Sequence, residues 1–152
     1  MRMRTLAGAV LAACLMVLGV AAGASAHVAA GAKKTDGWPA GRGFVSTTVT
    51  ENGQVRVLVA GTSLTLRFGP DGDFTASAGC NTFMGTGRFR GGRFIIVGPL
   101  ASTMMACEPP RMDQERWFAE FLGSAPQAWF YGTNLTLRSA GTRIRFTAST
   151  RR

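Results

Sequence analysis

Outside the N-terminal segment, the side chains with the widest chemical reach are Cys80, Cys107 and the single histidine, His27. A nucleophilic cysteine needs a base beside it to hold the thiolate. His27 lies in an Ala-, Gly- and Lys-rich tail, remote from either cysteine in sequence, so no catalytic pair is expected. A structural zinc needs four ligands, and two cysteines with one histidine fall short. His27 would be the first residue of a chain cleaved after Ala26, and a copper site there needs a second histidine that the sequence lacks. Met84, Met104, Met105 and Met112 could serve a soft metal or act as an oxidation sink. Core filling is the expectation for them. Asp71 and Asp73 flank Gly72, which turn chemistry explains better than calcium. No Gly-rich phosphate loop, nucleophile elbow or paired-histidine motif occurs. The sequence therefore predicts a chain that is not an enzyme, with no cofactor and no stable metal.

The first 26 residues predict a secretory signal. Arg2 and Arg4 give the basic start, Leu6 to Val20 the apolar run, and Ala24-Ser25-Ala26 a small-x-small cleavage site. Two rival readings are an uncleaved membrane anchor and lipoprotein processing at Cys14, against which the apolar run continues past Cys14. Residues 27–41 read as a flexible linker, with Trp38-Pro39 as its first docked pair, and 42–150 as one domain. About 110 residues suffice for a core without much reserve. Two cysteines then remain in an exported chain, which favours a Cys80–Cys107 disulfide over two reduced thiols.

The whole chain has 17 Lys+Arg against 8 Asp+Glu. Cleavage removes two arginines and no acids, leaving 15 against 8, a formal +7. The surplus falls largely on Arg67, Arg88, Arg90, Arg93, Arg138, Arg143 and Arg145. Arginine-rich faces attract phosphates, anionic lipid heads or acidic envelope polymers; nucleic acid is a poor partner for an exported protein. Arg88, Arg90 and Arg93 form the candidate anion-binding face, beside the plain reading of a solvated basic surface. An unknown envelope protein is the other candidate partner.

The elements that must position these residues are mostly strands. Val45, Thr47 and Val49 alternate with Ser46, Thr48 and Thr50. Asn52-Gly53 predicts a hairpin, after which Val55, Val57 and Val59 continue. Leu64, Leu66 and Phe68 lead to a turn at Gly69-Pro70-Asp71-Gly72. Phe74, Ala76 and Ala78 share the next inward face, and the spacing places Cys80 there too. Phe83 to Phe89 is interrupted at Gly85 and Gly87, where a bulge or close backbone approach is expected. Gly91-Gly92 predicts a two-residue turn that sets Arg90 opposite Arg93. Pro109-Pro110 opens the one helix. Glu108, Asp113 and Glu115 suit its N-terminus, Trp117, Phe118, Phe121 and Leu122 its apolar face, and Gly123 its C-terminal cap. Three strands follow, with Leu135, Leu137, Ile144 and Phe146 inward. The expected fold is mainly β with an α+β element, a small antiparallel β-barrel-like sheet with one packed α-helix. Asn81, between Cys80 and Gly85, is expected to bond local backbone and hold a bulge, with ligand recognition as the alternative.

These blocks carry a resemblance. Gly79-Cys80-Asn81 with Phe83, Gly85 and Phe89 forms the first. Gly98-Pro99-Leu100-Ala101-Ser102-Thr103-Met104-Met105-Ala106-Cys107 forms the second. With Met112-Asp113-Gln114-Glu115 and Trp117-Phe118 behind them, they resemble the META domain family, HslJ-like members included, from roughly Gly41 to Thr147. Arg42-Gly43-Phe44-Val45-Ser46-Thr47 is similar to the start of exported actinobacterial members. The resemblance implies the same small β-rich fold, an envelope or secreted place, and links to heat shock, antibiotic tolerance and, in parasites, virulence and motility. It implies no catalytic residues. Cys80, Asn81 and Cys107 match motif positions and carry over as structural residues, with Gly79, Gly85, Gly98 and Pro99. A non-enzymatic envelope binding and stress-tolerance domain is the leading expectation. An apolar-ligand carrier using the barrel mouth, and more remotely a hydrolase, are the alternatives.

Overall fold

The computed structural model describes residues 37–149. The expected signal segment, Cys14, His27 and residues 27–36 of the expected linker lie outside them. Nine strands and one helix follow in order: β1 Gly43–Glu51, β2 Gln54–Val55, β3 Thr65–Phe68, β4 Asp73–Ser77, β5 Thr82–Arg90, β6 Arg93–Ser102, α1 Pro109–Gly123, β7 Gln127–Tyr131, β8 Asn134–Ser139 and β9 Thr142–Ser149. All the pairings are antiparallel. The sheet runs β2-β1-β3-β4-β5-β6-β7-β8-β9, and β1 also pairs with β9 from Gly43↔Ser149 to Glu51↔Thr142. That second pairing curls the sheet into a ring, so the expected mainly β architecture with one packed helix is what forms. The seam between β6 and β7 is the thinnest, resting on Arg93↔Gln127 with the backbone bonds Phe94 N to Pro126 O (2.9 Å) and Ala128 N to Gly92 O (2.8 Å).

Alternation puts one side chain in two inside the ring. Leu66, Phe68, Phe74, Ala76, Phe94, Leu135, Leu137, Ile144 and Phe146 all point inward and are buried. Phe118, Phe121 and Leu122 of α1 complete the core, with Trp117 half-buried beside them. The helix packs across the end of the ring where β1 and β4 finish, since Trp117 Nε1 donates to Glu51 and Gln114 donates to Ala78 O. Near the β3–β4 turn, Trp38 donates to Gly69 O and sets its ring edge-on to Phe68 with centroids 5.0 Å apart.

Both expected two-residue turns form. Asn52 and Gly53 take φ of 51° and 84°, and Gly91 and Gly92 take 59° and 71°, the left-handed pair that suits strand twist. A bulge also forms where β5 meets β6: Met84↔Ala101 and Thr86↔Val97 bracket Gly85 on one strand and Gly98, Pro99 and Leu100 on the other. At Gly87 a Cβ would stand 2.7 Å from the Phe94 ring.

Five expectations fail, each for a local reason. The period of β1 is broken by a bulge between Ser46 and Thr48, so Phe44 and Val49 are buried while Val45 is only half-buried. No strand continues through Val57 and Val59. After β2 the chain leaves the sheet: Val57 is exposed, and Val59 N donates to Gln114 Oε1 at 2.7 Å instead of to a neighbouring strand. Cys80 does not take the inward position. Gly79, at φ 103°, changes the phase, and Asn81 is the buried residue. Gly123 remains helical, and Ser124 caps α1 through its N–H to Glu120 O and its hydroxyl to Phe121 O. The first turn of α1 carries no acid; Glu108 caps it without a side-chain bond, and Glu115 turns into the core.

Phe118→Ala should lower unfolding free energy by about 3–5 kcal/mol, while Val57→Ala should stay within about 0.5 kcal/mol of the parent. Urea titrations of the three proteins followed by fluorescence make the comparison.

Candidate functional site

Two groups of polar residues stand out, one a buried clasp and the other an outer face. In the clasp, Cys80 and Cys107 are joined by a disulfide with Cα atoms 6.2 Å apart. Asn81 beside it is 3% exposed. Its Oδ1 accepts from Met105 N at 2.7 Å and from Thr103 Oγ1 at 2.9 Å, and its Nδ2 donates to Met105 O at 3.2 Å. Asn81 N donates to Glu115 Oε2 at 2.8 Å. One helical position earlier, Gln114 accepts from Val59 N and donates to Thr62 Oγ1 and Ala78 O. Asn81 thus bonds the Thr103–Met105 segment rather than the Gly85 bulge. Gly79 is required twice: by its left-handed φ, and by the Thr62 methyl, which would lie 2.5 Å from an added Cβ.

Asn81 holds Met105 by its backbone and Thr103 by its hydroxyl, and the side chains of Met104 and Met105 lie outward. Core filling fails for three of the four methionines: Met104 is 98% exposed, Met105 60% and, on β5, Met84 42%. Met112 alone lies against the disulfide, its sulfur 3.9 Å from Cys80 Sγ. Asp73 shapes its turn, taking Asp71 N on its carboxylate and Gly69 N on its carbonyl. Among the described residues, no cluster of three or more His, Cys, Asp or Glu could hold a metal.

The outer face is set by register. Arg90 pairs with Arg93, Arg93 with Gln127, Gln127 with Arg138, and Arg138 with Arg143. Paired residues on neighbouring strands point to the same face, and all five are exposed. Four guanidinium groups therefore cross five strands in one row. Strand spacing makes the row about 19 Å long. Arg93 Nη1 donates to Ala125 O at 2.8 Å. The ion pairs among the described residues, Arg56–Glu51 and Arg116–Asp113, take no member of this row. Arg145 adjoins the row, pairing with Thr136, which pairs with Trp129. Arg88 is exposed opposite Ile95 and lies off it, as does Arg67 on β3.

The expected hairpin arginines thus meet two others from the far end of the chain. Sequence reading missed Gln127 as the bridge, Trp129 at the edge, and the buried pair Gln114 and Glu115. Only for the last was a local signal present: both fall at helical spacing with Phe118 and Phe121.

A ring-like antiparallel sheet, one helix across its end and a disulfide beside the helix start define a small β-rich domain. The chain belongs to the META domain family, whose model matches residues 40–151. Three solved structures are similar to it. A protein from Burkholderia xenovorans, solved by NMR, has a TM-score of 0.62 at 21% identity, over 74% of this chain and 84% of that one. A second NMR structure has a TM-score of 0.54 at 26% identity, over 70% and 88%. A DUF4847 family protein from Bacteroides vulgatus has a TM-score of 0.54 at 17% identity, over 71% and 92%. No curated protein gives a significant match.

The disulfide closes a span of 27 residues. Loop entropy then predicts that reduction lowers stability by about 3–4 kcal/mol, seen as a lower urea midpoint with reductant present. Asn81→Ala removes three bonds to the Thr103–Met105 segment and should cost about 1–3 kcal/mol. Hydrogen exchange should show amide protection at Met105 lost in that variant before it is lost in the strands.

Proposed function

We propose that this META domain is an exported, non-enzymatic binding domain of the cell envelope that holds an anionic partner on the outer face of its sheet. The observation that carries this reading is the row Arg90–Arg93–Gln127–Arg138–Arg143. Guanidinium groups present planar donor pairs suited to phosphate and carboxylate. Several in line raise the local potential and draw polyanions from solution.

Three further points support the reading. The sequence opens with a secretory pattern, and a disulfide suits an oxidising compartment. The family resemblance adds a role in envelope stress tolerance. The ring is filled by Phe44, Phe68, Phe74, Phe94 and Phe146, each about 1% exposed or less, which favours binding outside the ring over carriage within it.

The triple variant Arg90→Glu/Arg138→Glu/Arg143→Glu should bind immobilised dextran sulfate at least roughly tenfold more weakly than the parent at low salt. Arg111→Glu/Arg116→Glu, on the helix, should change binding less than about twofold. Matched melting temperatures would certify the folds. Equal retention of the triple variant and the parent would discard the arginine row as the binding face.

A further inference from the structure

Strand β7 carries two aromatic rings that the core does not use. Its inward side chains are Ala128, 2% exposed, and the partly buried Phe130. Its outward side chains are Gln127, Trp129 and Tyr131. Trp129 is 45% exposed and Tyr131 81%. Neither makes a ring contact with another aromatic among the described residues, whereas Trp38 and Trp117 both do. Register sets their company. Trp129 pairs with Thr136 and through it aligns with Arg145; Tyr131 pairs with Asn134 and through it aligns with Thr147. Trp129, Thr136, Arg138, Arg143 and Arg145 line one shallow depression.

We propose that this face binds an acidic glycan, with sugar rings lying on Trp129 and Tyr131 and acid groups paired to Arg138, Arg143 and Arg145. The inference rests on the anion-binding reading above and adds the chemical class of the ligand. Exposed Trp and Tyr offer flat apolar faces at small entropic cost, each with a polar edge. The two rings are about 7 Å apart along β7, and the arginines stand one or two strands away at about 4.8 Å per strand. Gln127, Asn134 and Thr136 face the same way and supply donors and acceptors for hydroxyl groups.

The same neighbours argue against a bilayer. A face that enters a membrane surface surrounds its aromatic residues with apolar ones, and here they are amides, hydroxyls and guanidinium groups. Ring closure also makes the outer surface convex, so a flat bilayer would touch one strip of it. A polymer chain can follow the curve. The acid group can be a carboxylate or a phosphodiester, since arginine pairs with both.

Calorimetric titration with polygalacturonate, dextran phosphate and polyglutamate, at equal charge, tests the proposal. At least one of the two sugar polymers should bind at least about fivefold more tightly than ring-free polyglutamate. Binding of only one of them identifies which acid group is read. Trp129→Ala/Tyr131→Ala should remove that preference and leave polyglutamate affinity unchanged. Trp129→Phe/Tyr131→Phe, which keeps the rings, should retain it. Equal affinity for polyglutamate, or tighter binding to phosphatidylglycerol vesicles or to single-stranded DNA, overturns the glycan proposal alone. Failure to bind any polyanion overturns the underlying anion-binding reading as well.

Discussion

The pairing of β1 with β9 is the constraint on which the structure rests. A sheet of this length, left open, would present two edges of unpaired backbone groups. Here the first long strand bonds to the last over its full length, Gly43 to Glu51 against Ser149 to Thr142. The contact is also the most distant in sequence, so closing the ring carries a large loop-closure cost. Closure fixes the inner surface as a closed apolar lining and the outer surface as solvent-facing. It also explains the bulge between Ser46 and Thr48. β1 serves β9 on one side and β3 and β2 on the other, and one extra residue lets its inward side chains change phase from Phe44 to Val49.

A closed ring leaves an open end, and the clasp deals with it. Backbone groups at that end have no next strand to bond. Helix α1 supplies side chains in place of one: Gln114 takes Val59 N and gives to Ala78 O, and Glu115 takes Asn81 N. Asn81 passes the connection on to Thr103 and Met105, and the disulfide ties both segments covalently just before α1 starts. Buried polar groups are costly when unpaired, so these residues act as a set. The disulfide limits how far the set can separate.

Much of the sheet was legible in the sequence because its signals are local. Asn52-Gly53 and Gly91-Gly92 mark turns by backbone freedom alone, and Leu135, Leu137, Ile144 and Phe146 mark an inward face by period two. What was not legible needed partners far away in sequence. Val57 and Val59 have strand-forming side chains, but no strand lies beside them, only Gln114. Cys80 kept the inward period until Gly79 changed the chain direction. Gln114 and Glu115 look like surface residues by type and are buried because they complete backbone bonding on another element. Arg138 and Arg143 read as polar positions on a hairpin, and nothing nearby announces that Gln127 sets them in line with Arg90 and Arg93.

That line of arginines works against the sheet that carries it. Arg90 opposite Arg93, and Arg138 opposite Arg143, are like-charge pairs in register, an arrangement that weakens strand pairing. Neither pair is relieved by a carboxylate among the described ion pairs. The inward faces of these strands carry Phe89, Phe94, Leu137 and Ile144, which hold the ring without help from the outer side. Arg93 bonds Ala125 O, but no described side-chain hydrogen bond or ion pair ties Arg90, Arg138 or Arg143 to the rest of the fold. The anionic partner proposed for this face would offset that repulsion. Trp129 and Tyr131 stand on the same outer side, and neither ring contacts another aromatic among the described residues, so they add nothing to the aromatic packing that fills the ring.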